Sequence, residues 1–209
     1  MRGLAVGIVS GCVIATAAFG MPLHPYTALD LPESLDPNFH LRSEPVKKIQ
    51  VGSQTIYLEV TPLQTLQAKL GGVIQSGGDA GGAASWVCFT GMARKIPIIF
   101  WFISNGEMGM GTVSQVAIQR NTIGSPEGCS KAPRKLTTID FGVPSFGASQ
   151  RTVIHYFDGG KVDERGFVGF ASEHPAKAPP PDCTRLQGVQ YLISNSRVST
   201  ISVSQVTSC

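Results

Sequence analysis

Charge is scarce in this chain. Lys, Arg, Asp and Glu make up 15% of 209 residues, and the formal net charge is +3. No run or stripe of Lys and Arg stands out, which argues against a nucleic-acid partner. The motifs of common catalytic sites are also missing: there is no G-x-S-x-G, no H-E-x-x-H, no S-x-x-K and no phosphate-binding P-loop. The glycine-rich stretch Gly77–Gly82 is not followed by Lys-Ser/Thr, so it reads as a connection rather than a nucleotide site. No C-x-x-C or close histidine pair supports zinc. No cofactor is expected.

Hydrophobic residues reach 42%, with 24 Gly and 14 Pro. That mix fits a turn-rich, strand-rich protein rather than one of long helices. Residues 1–18 read as an export signal. Arg2 is followed by the apolar run Leu4–Ala18, and Ala15-Thr16-Ala17 offers a small-x-small cleavage site. The run is short for a membrane span. Lipidation at Cys12, within Val9-Ser10-Gly11-Cys12, is the weaker alternative. Removing Arg2 with the signal lowers the net charge to +2 (3 − 1). The expected location is the periplasm or the exterior, with no integral span in the mature chain.

Export leaves four cysteines, Cys88, Cys129, Cys183 and Cys209. In an oxidising compartment they read as two disulfides, with three pairings open. An internal repeat favours one of them. Trp101-Phe102-Ile103-Ser104-Asn105 precedes Val113-Ser114-Gln115-Val116. Tyr191-Leu192-Ile193-Ser194-Asn195 precedes Val203-Ser204-Gln205-Val206. Seven residues separate Asn from Val in both copies. Pairing within units then means Cys88–Cys129 and Cys183–Cys209.

The chain divides on this reading into a proline-rich arm (19–46), a first unit (47–120), a linker (121–134) and a second unit (135–209). His24 and His40 in the arm read as surface residues. The expected fold class is α+β: two tandem antiparallel sheet units with short helices, dominated by strand. Gln54–Val60 alternates as a half-exposed strand. Thr61-Pro62-Leu63-Gln64 reads as a capping box, opening a helix with Leu63, Leu66 and Leu70 on one face and Gly71-Gly72 at its end. Ser85–Phe89, Lys95–Asn105 and Thr112–Ile118 read as strands, the second nearly all apolar and so covered on both faces. Val113 and Val116 fall on opposite faces of a regular strand unless a bulge intervenes. In the second unit Arg151–Phe157, Gly166–Ala171, Gln187–Asn195 and Thr200–Thr207 read as strands, and Lys135–Phe141 as a strand or the end of a short helix stopped by Gly142. The proline-rich His174–Cys183 is excluded from a central strand.

Two chemical alternatives remain. Cys88 and His155, with Asp158 three residues on, have the types needed for a Cys–His hydrolase. Asp79 and Glu107 are loop carboxylates suited to acid–base work. The reading that fits the composition is instead a non-enzymatic envelope protein that binds or scaffolds a protein partner.

The order Thr61-Pro62-Leu63, Leu70-Gly71-Gly72, Gly78-Asp79-Ala80-Gly81, Trp86-Val87-Cys88-Phe89 and Trp101–Gly109 resembles uncharacterised exported proteins of Gram-negative bacteria, over residues 50 to 120. That likeness implies no activity and no site residues. The tandem plan is more loosely similar to the helix-plus-sheet units of beta-lactamase inhibitory protein and of the small lipoproteins of outer-membrane barrel assembly. The two-helix opening of those units is not evident. That likeness is one of fold only.

Overall fold

The structure is a computed structural model. It describes residues 39–78, 83–105, 111–122, 124, 126–176 and 183–209. The expected signal segment (1–18) with Cys12, most of the expected proline-rich arm, Asp79 and Glu107 lie outside the described residues.

The expected α+β class is overturned. Among the described residues 49% are strand and 10% helical, with two short helices. The described strands number twelve and form two sheets. The strands are β1 (Phe39–His40), β2 (Ile49–Val51), β3 (Gln54–Ile56), β4 (Gln75–Gly77), β5 (Ala84–Ala93) and β6 (Ile96–Asn105). They continue with β7 (Gln115–Arg120), β8 (Ser130–Lys131), β9 (Ile139–Asp140), β10 (Phe167–Pro175), β11 (Thr184–Ser194) and β12 (Arg197–Ser208). The large sheet runs β1-β10-β11-β12-β7-β6-β5-β4, and β8 joins the outer edge of β5. It is antiparallel except where β1 meets β10 and β8 meets β5. The small sheet is β3-β2-β9. Its β2 and β3 precede the linker and its β9 follows it, so both sheets cross the expected unit boundary.

The hydrophobic pattern explains this arrangement. In β6, Ile98 through Ile103 are all buried. Ile98, Phe100 and Phe102 face the main core. Ile99, Trp101 and Ile103 join Trp86 and Cys88 in a second cluster on the other face. The main core lies between the large sheet, the small sheet and the two helices. Helix α1 (Leu63–Leu70) contributes Leu63, Leu66 and Leu70 and packs on β5 and β6. Its leucine stripe is the one the sequence showed, but the capping box is not formed. Thr61 Oγ1 accepts instead from the Tyr57 N–H (2.9 Å), and the first helical N–H, of Leu63, donates to the Gly111 carbonyl (2.8 Å). A neighbouring loop thus supplies the acceptor that a cap would. Gly72 then turns with φ +86, and a Cβ there would lie 3.0 Å from Val87 Cγ1. Glycine therefore lets the helix end sit directly on β5.

Arg151–Phe157, expected as a strand, forms helix α2 (Gln150–Tyr156). Its β-branched residues mislead. Ser149 caps it by accepting from the Thr152 N–H (3.1 Å). Val153 and Phe157, four apart, are both buried. Phe157 stacks on Phe170 with centroids 4.0 Å apart, and both rings meet Tyr191 edge-on. Tertiary packing decides the conformation. Two other expected strands shrink. Gln54–Val60 keeps its strand only to Ile56, and Lys135–Phe141 only over Ile139–Asp140. His174 and Pro175, excluded from a central strand above, end β10 where it pairs with β11 alone, beyond its register with β1.

The cysteines pair Cys88–Cys129 and Cys183–Cys209. The bridges close loops of 41 and 26 residues, worth about 3–4 kcal/mol each on the chain-entropy model.

The repeated words meet in the middle of the large sheet. In the β7–β12 ladder Val116 stands opposite Val203 and Gln115 opposite Ser204. The Gln205 N–H then donates to the Ser114 carbonyl (2.9 Å). Exchanging the two Val-Ser-Gln-Val words maps this ladder onto itself. The hairpins behind them are not equivalent. Asn195 and Ser196, both with positive φ, make a tight two-residue turn, so Leu192 pairs with Thr200. In the first half Phe102 pairs with Val116, fourteen residues on rather than eight. The seven-residue spacing is therefore conserved in sequence but zipped into the ladder only in β12. The face question resolves differently in each copy. Val113 and Val116 are both in the main core, because the regular strand begins only at Gln115, whereas Val203 is core and Val206 is not.

Two outcomes test the packing. Burial pushes the Tyr191 phenol far above its usual pKa, and its hydroxyl has no hydrogen-bond partner among the described residues. Tyr191→Phe should leave stability unchanged or raise it by up to about 1–2 kcal/mol in urea unfolding. Cys209→Ser should lower stability by roughly 2–5 kcal/mol, while non-reducing proteolysis still yields the Cys88–Cys129 peptide.

Candidate functional site

The residues of the Cys–His hydrolase alternative are not brought together. Cys88 is tied up in its disulfide and lies in the cluster on one face of the large sheet. His155 and Asp158 lie at helix α2, whose Val153 and Phe157 pack in the main core on the opposite face. They are exposed and line an open groove of about 730 Å³ with Ser149, Arg151 and Ser196. The groove offers no thiolate, and its groups are solvated. Among the described residues no cluster of His, Cys, Asp and Glu could hold a metal ion.

A different constellation is built with more care. It is the turn Tyr57–Thr61 between β3 and α1, where the alternating pattern predicted continued strand. Leu58 points into the core. Tyr57 and Val60, 49% and 67% exposed, point out. Within the turn the Val60 and Thr61 N–H groups donate to the Tyr57 carbonyl (3.2 and 2.9 Å). Glu59 between them has φ +59, an unusual conformation for a residue with a side chain.

Glu59 is held from both halves of the chain. Its N–H donates to the Val113 carbonyl (2.7 Å). Its carboxylate accepts from the Thr207 N–H (2.7 Å), the Thr207 hydroxyl (2.6 Å) and Gln205 Nε2 (2.9 Å). The reason lies in strand lengths. The Gln205 N–H still reaches a β7-side carbonyl at Ser114, but Thr207, the next residue facing that way, lies beyond the regular end of β7. Glu59 fills the missing place in the ladder with a charged acceptor. Gln205 passes the network on. Its Oε1 accepts from Gln187 Nε2 (2.9 Å), and the Gln187 amide bonds both the N–H and the carbonyl of Val46 (2.8 Å each). Segments near residues 46, 59, 187 and 205 are thereby locked together under the turn.

Sequence reasoning missed this site because its partners lie 146 and 148 residues apart. The one local sign was Val60, an apolar residue on an alternating face that the fold leaves in water.

Comparison with known family models, curated proteins and solved structures finds no match.

Truncating Glu59 to Ala strands the Thr207 N–H. The expected loss is about 1.5–3 kcal/mol, the range for hydrogen bonds to a charged group, with faster hydrogen exchange at Thr207 and little change at the centre of β6.

Proposed function

We propose that the protein is a non-enzymatic binding module of the cell envelope, and that it docks a protein partner at the Tyr57–Thr61 turn. The observation that carries this reading is the pairing of exposure with rigidity. Tyr57 and Val60 stand in water on a turn whose backbone is fixed by the Glu59 bonds to β12. Most of the cost of ordering an apolar contact is then met before a partner arrives, and an aromatic next to an aliphatic side chain is the chemistry of interface anchors. The strained φ of Glu59 fits a functional turn. The two disulfides, with no helix among the described residues long and apolar enough to cross a membrane, are compatible with a periplasmic or secreted protein. The bridged Cys88 supports a binding role over thiol hydrolysis.

The test is crosslinking and affinity capture from envelope extract, comparing the native protein with a Tyr57→Ser, Val60→Ser variant. The native chain should recover a partner that the variant loses at least ten-fold, with unchanged circular dichroism and disulfides. Equal recovery by both proteins, or recovery by neither, would refute docking at this turn.

A further inference from the structure

Beside the Tyr57–Thr61 turn lies a small, half-enclosed pocket of about 150 Å³. Its floor is Val46, Ile49, Ile56 and Leu58. Its polar wall is Gln187 and Gln205, and its charged lining is Glu44, Lys47, Lys48 and Arg185. Tyr57 and Val60 form an apolar rim.

The hydrogen-bonding groups of this lining are unevenly used. Gln187 and Gln205 are committed to Val46, to each other and to Glu59. Glu59 is committed to β12. The cations are not. Lys47 and Lys48 are exposed and form no ion pair among the described residues. Arg185 reaches Glu44 through one nitrogen at 3.4 Å, a long contact. Its Nε is buried without a partner among the described residues. Directly across the β10–β11 ladder, on the same sheet face but outside the pocket lining, His174 Nε2 and Ser172 Oγ are also buried without a partner among the described residues. Three cations face one lining carboxylate, and the lining keeps a spare donor on Arg185. Buried polar groups in folded proteins are almost always satisfied, and an orphaned cluster is often the place of an absent ion or ligand.

We infer that this pocket binds a small oxyanion, carboxylate or phosphate, carried on an apolar group. The anion meets Arg185, Lys47 and Lys48, and the apolar group lies on Tyr57 and Val60. Arg185 favours an oxyanion because its planar guanidinium matches paired oxygens. The volume admits a terminal group and excludes a whole cofactor. This inference deepens the docking role of the turn and rests on it: the partner presents an anionic end next to an apolar residue.

The experiment is titration of the isotope-labelled, oxidised protein, followed by amide NMR. The probes are 3-phenylpropanoate, phenyl phosphate and the uncharged 3-phenylpropanamide. At least one acid should shift the amides of Lys47, Lys48, Tyr57 and Arg185 saturably, at about millimolar concentration for a ligand this small. The amide should bind at least ten-fold more weakly. Preference for phenyl phosphate assigns a phosphate-bearing partner, and preference for the propanoate a carboxylate terminus. Arg185→Gln should weaken the acid at least five-fold. Lys47→Gln with Lys48→Gln, both at the surface, should do the same with an unchanged unfolding midpoint. Equal binding of acid and amide, or shifts reproduced by sodium chloride at equal ionic strength, would overturn the inference. If that occurs while the Tyr57→Ser, Val60→Ser variant still loses its captured partner, the oxyanion site fails and the docking turn stands. Acid preference with undiminished capture refutes the turn instead and leaves the anion pocket.

Discussion

The antiparallel ladder between β7 and β12 is the interaction on which the rest of this fold depends. Each half of the chain contributes a three-stranded meander, β5-β6-β7 or β10-β11-β12. Each ends on a strand whose open edge would otherwise carry unpaired backbone groups next to apolar side chains. Val116, Ala117, Ile118, Ile201 and Val203 are all nearly dry, so water cannot serve that edge and the two strands must serve each other. The register is doubly fixed. Slipping by one residue would turn either Val116 and Ile118 or Ile201 and Val203 off the core face. It would also break the bond from Gln115 Nε2 to Ser202 Oγ (2.8 Å), which crosses the seam diagonally on the other face.

Across that seam the two halves of the chain share one core. The main core runs without interruption from Leu66 on α1 to Val153 on α2. The small sheet draws strands from both sides of the linker, and the linker itself places β8 on the edge of β5. A disulfide belongs to each half, but the free energy of the core is shared. Opening one half alone would expose a sheet edge and a core face together, which favours cooperative unfolding over independent domains.

What could be read from the sequence was what is local. The apolar run in β6, the leucine stripe of α1 with its glycine stop, and the strands β11 and β12 each carry their signal within about a dozen residues. The errors have one physical origin. Arg151–Phe157 has strand propensity, yet it is helical because Val153 and Phe157 find Phe170 and Tyr191 beneath them. Gln54–Val60 alternates well enough for a strand. The chain nevertheless turns after Ile56, because Glu59 is worth more opposite Thr207 than facing solvent. No pattern in a seven-residue window contains a partner 148 residues away. The fold class failed because short helices beside the sheets were read as α+β, although among the described residues strand outweighs helix by 49% to 10%.

The candidate site follows from an asymmetry between the two copies. Asn195 and Ser196 close their hairpin with two residues, so β12 zips early and extends to twelve residues, against six in β7. β12 therefore overhangs its neighbour, and the overhang leaves the Gln205 side chain and the Thr207 N–H without a strand to meet. Glu59 takes that position, fixing the turn that exposes Tyr57 and Val60. The segment Glu44–Lys48 closes over the same end of the sheet through Gln187. Equal hairpins would leave no overhang, hence no acceptor for Glu59 to replace and no pocket beside it. The difference between the halves, rather than their likeness, confines the candidate binding surface to one end of the molecule.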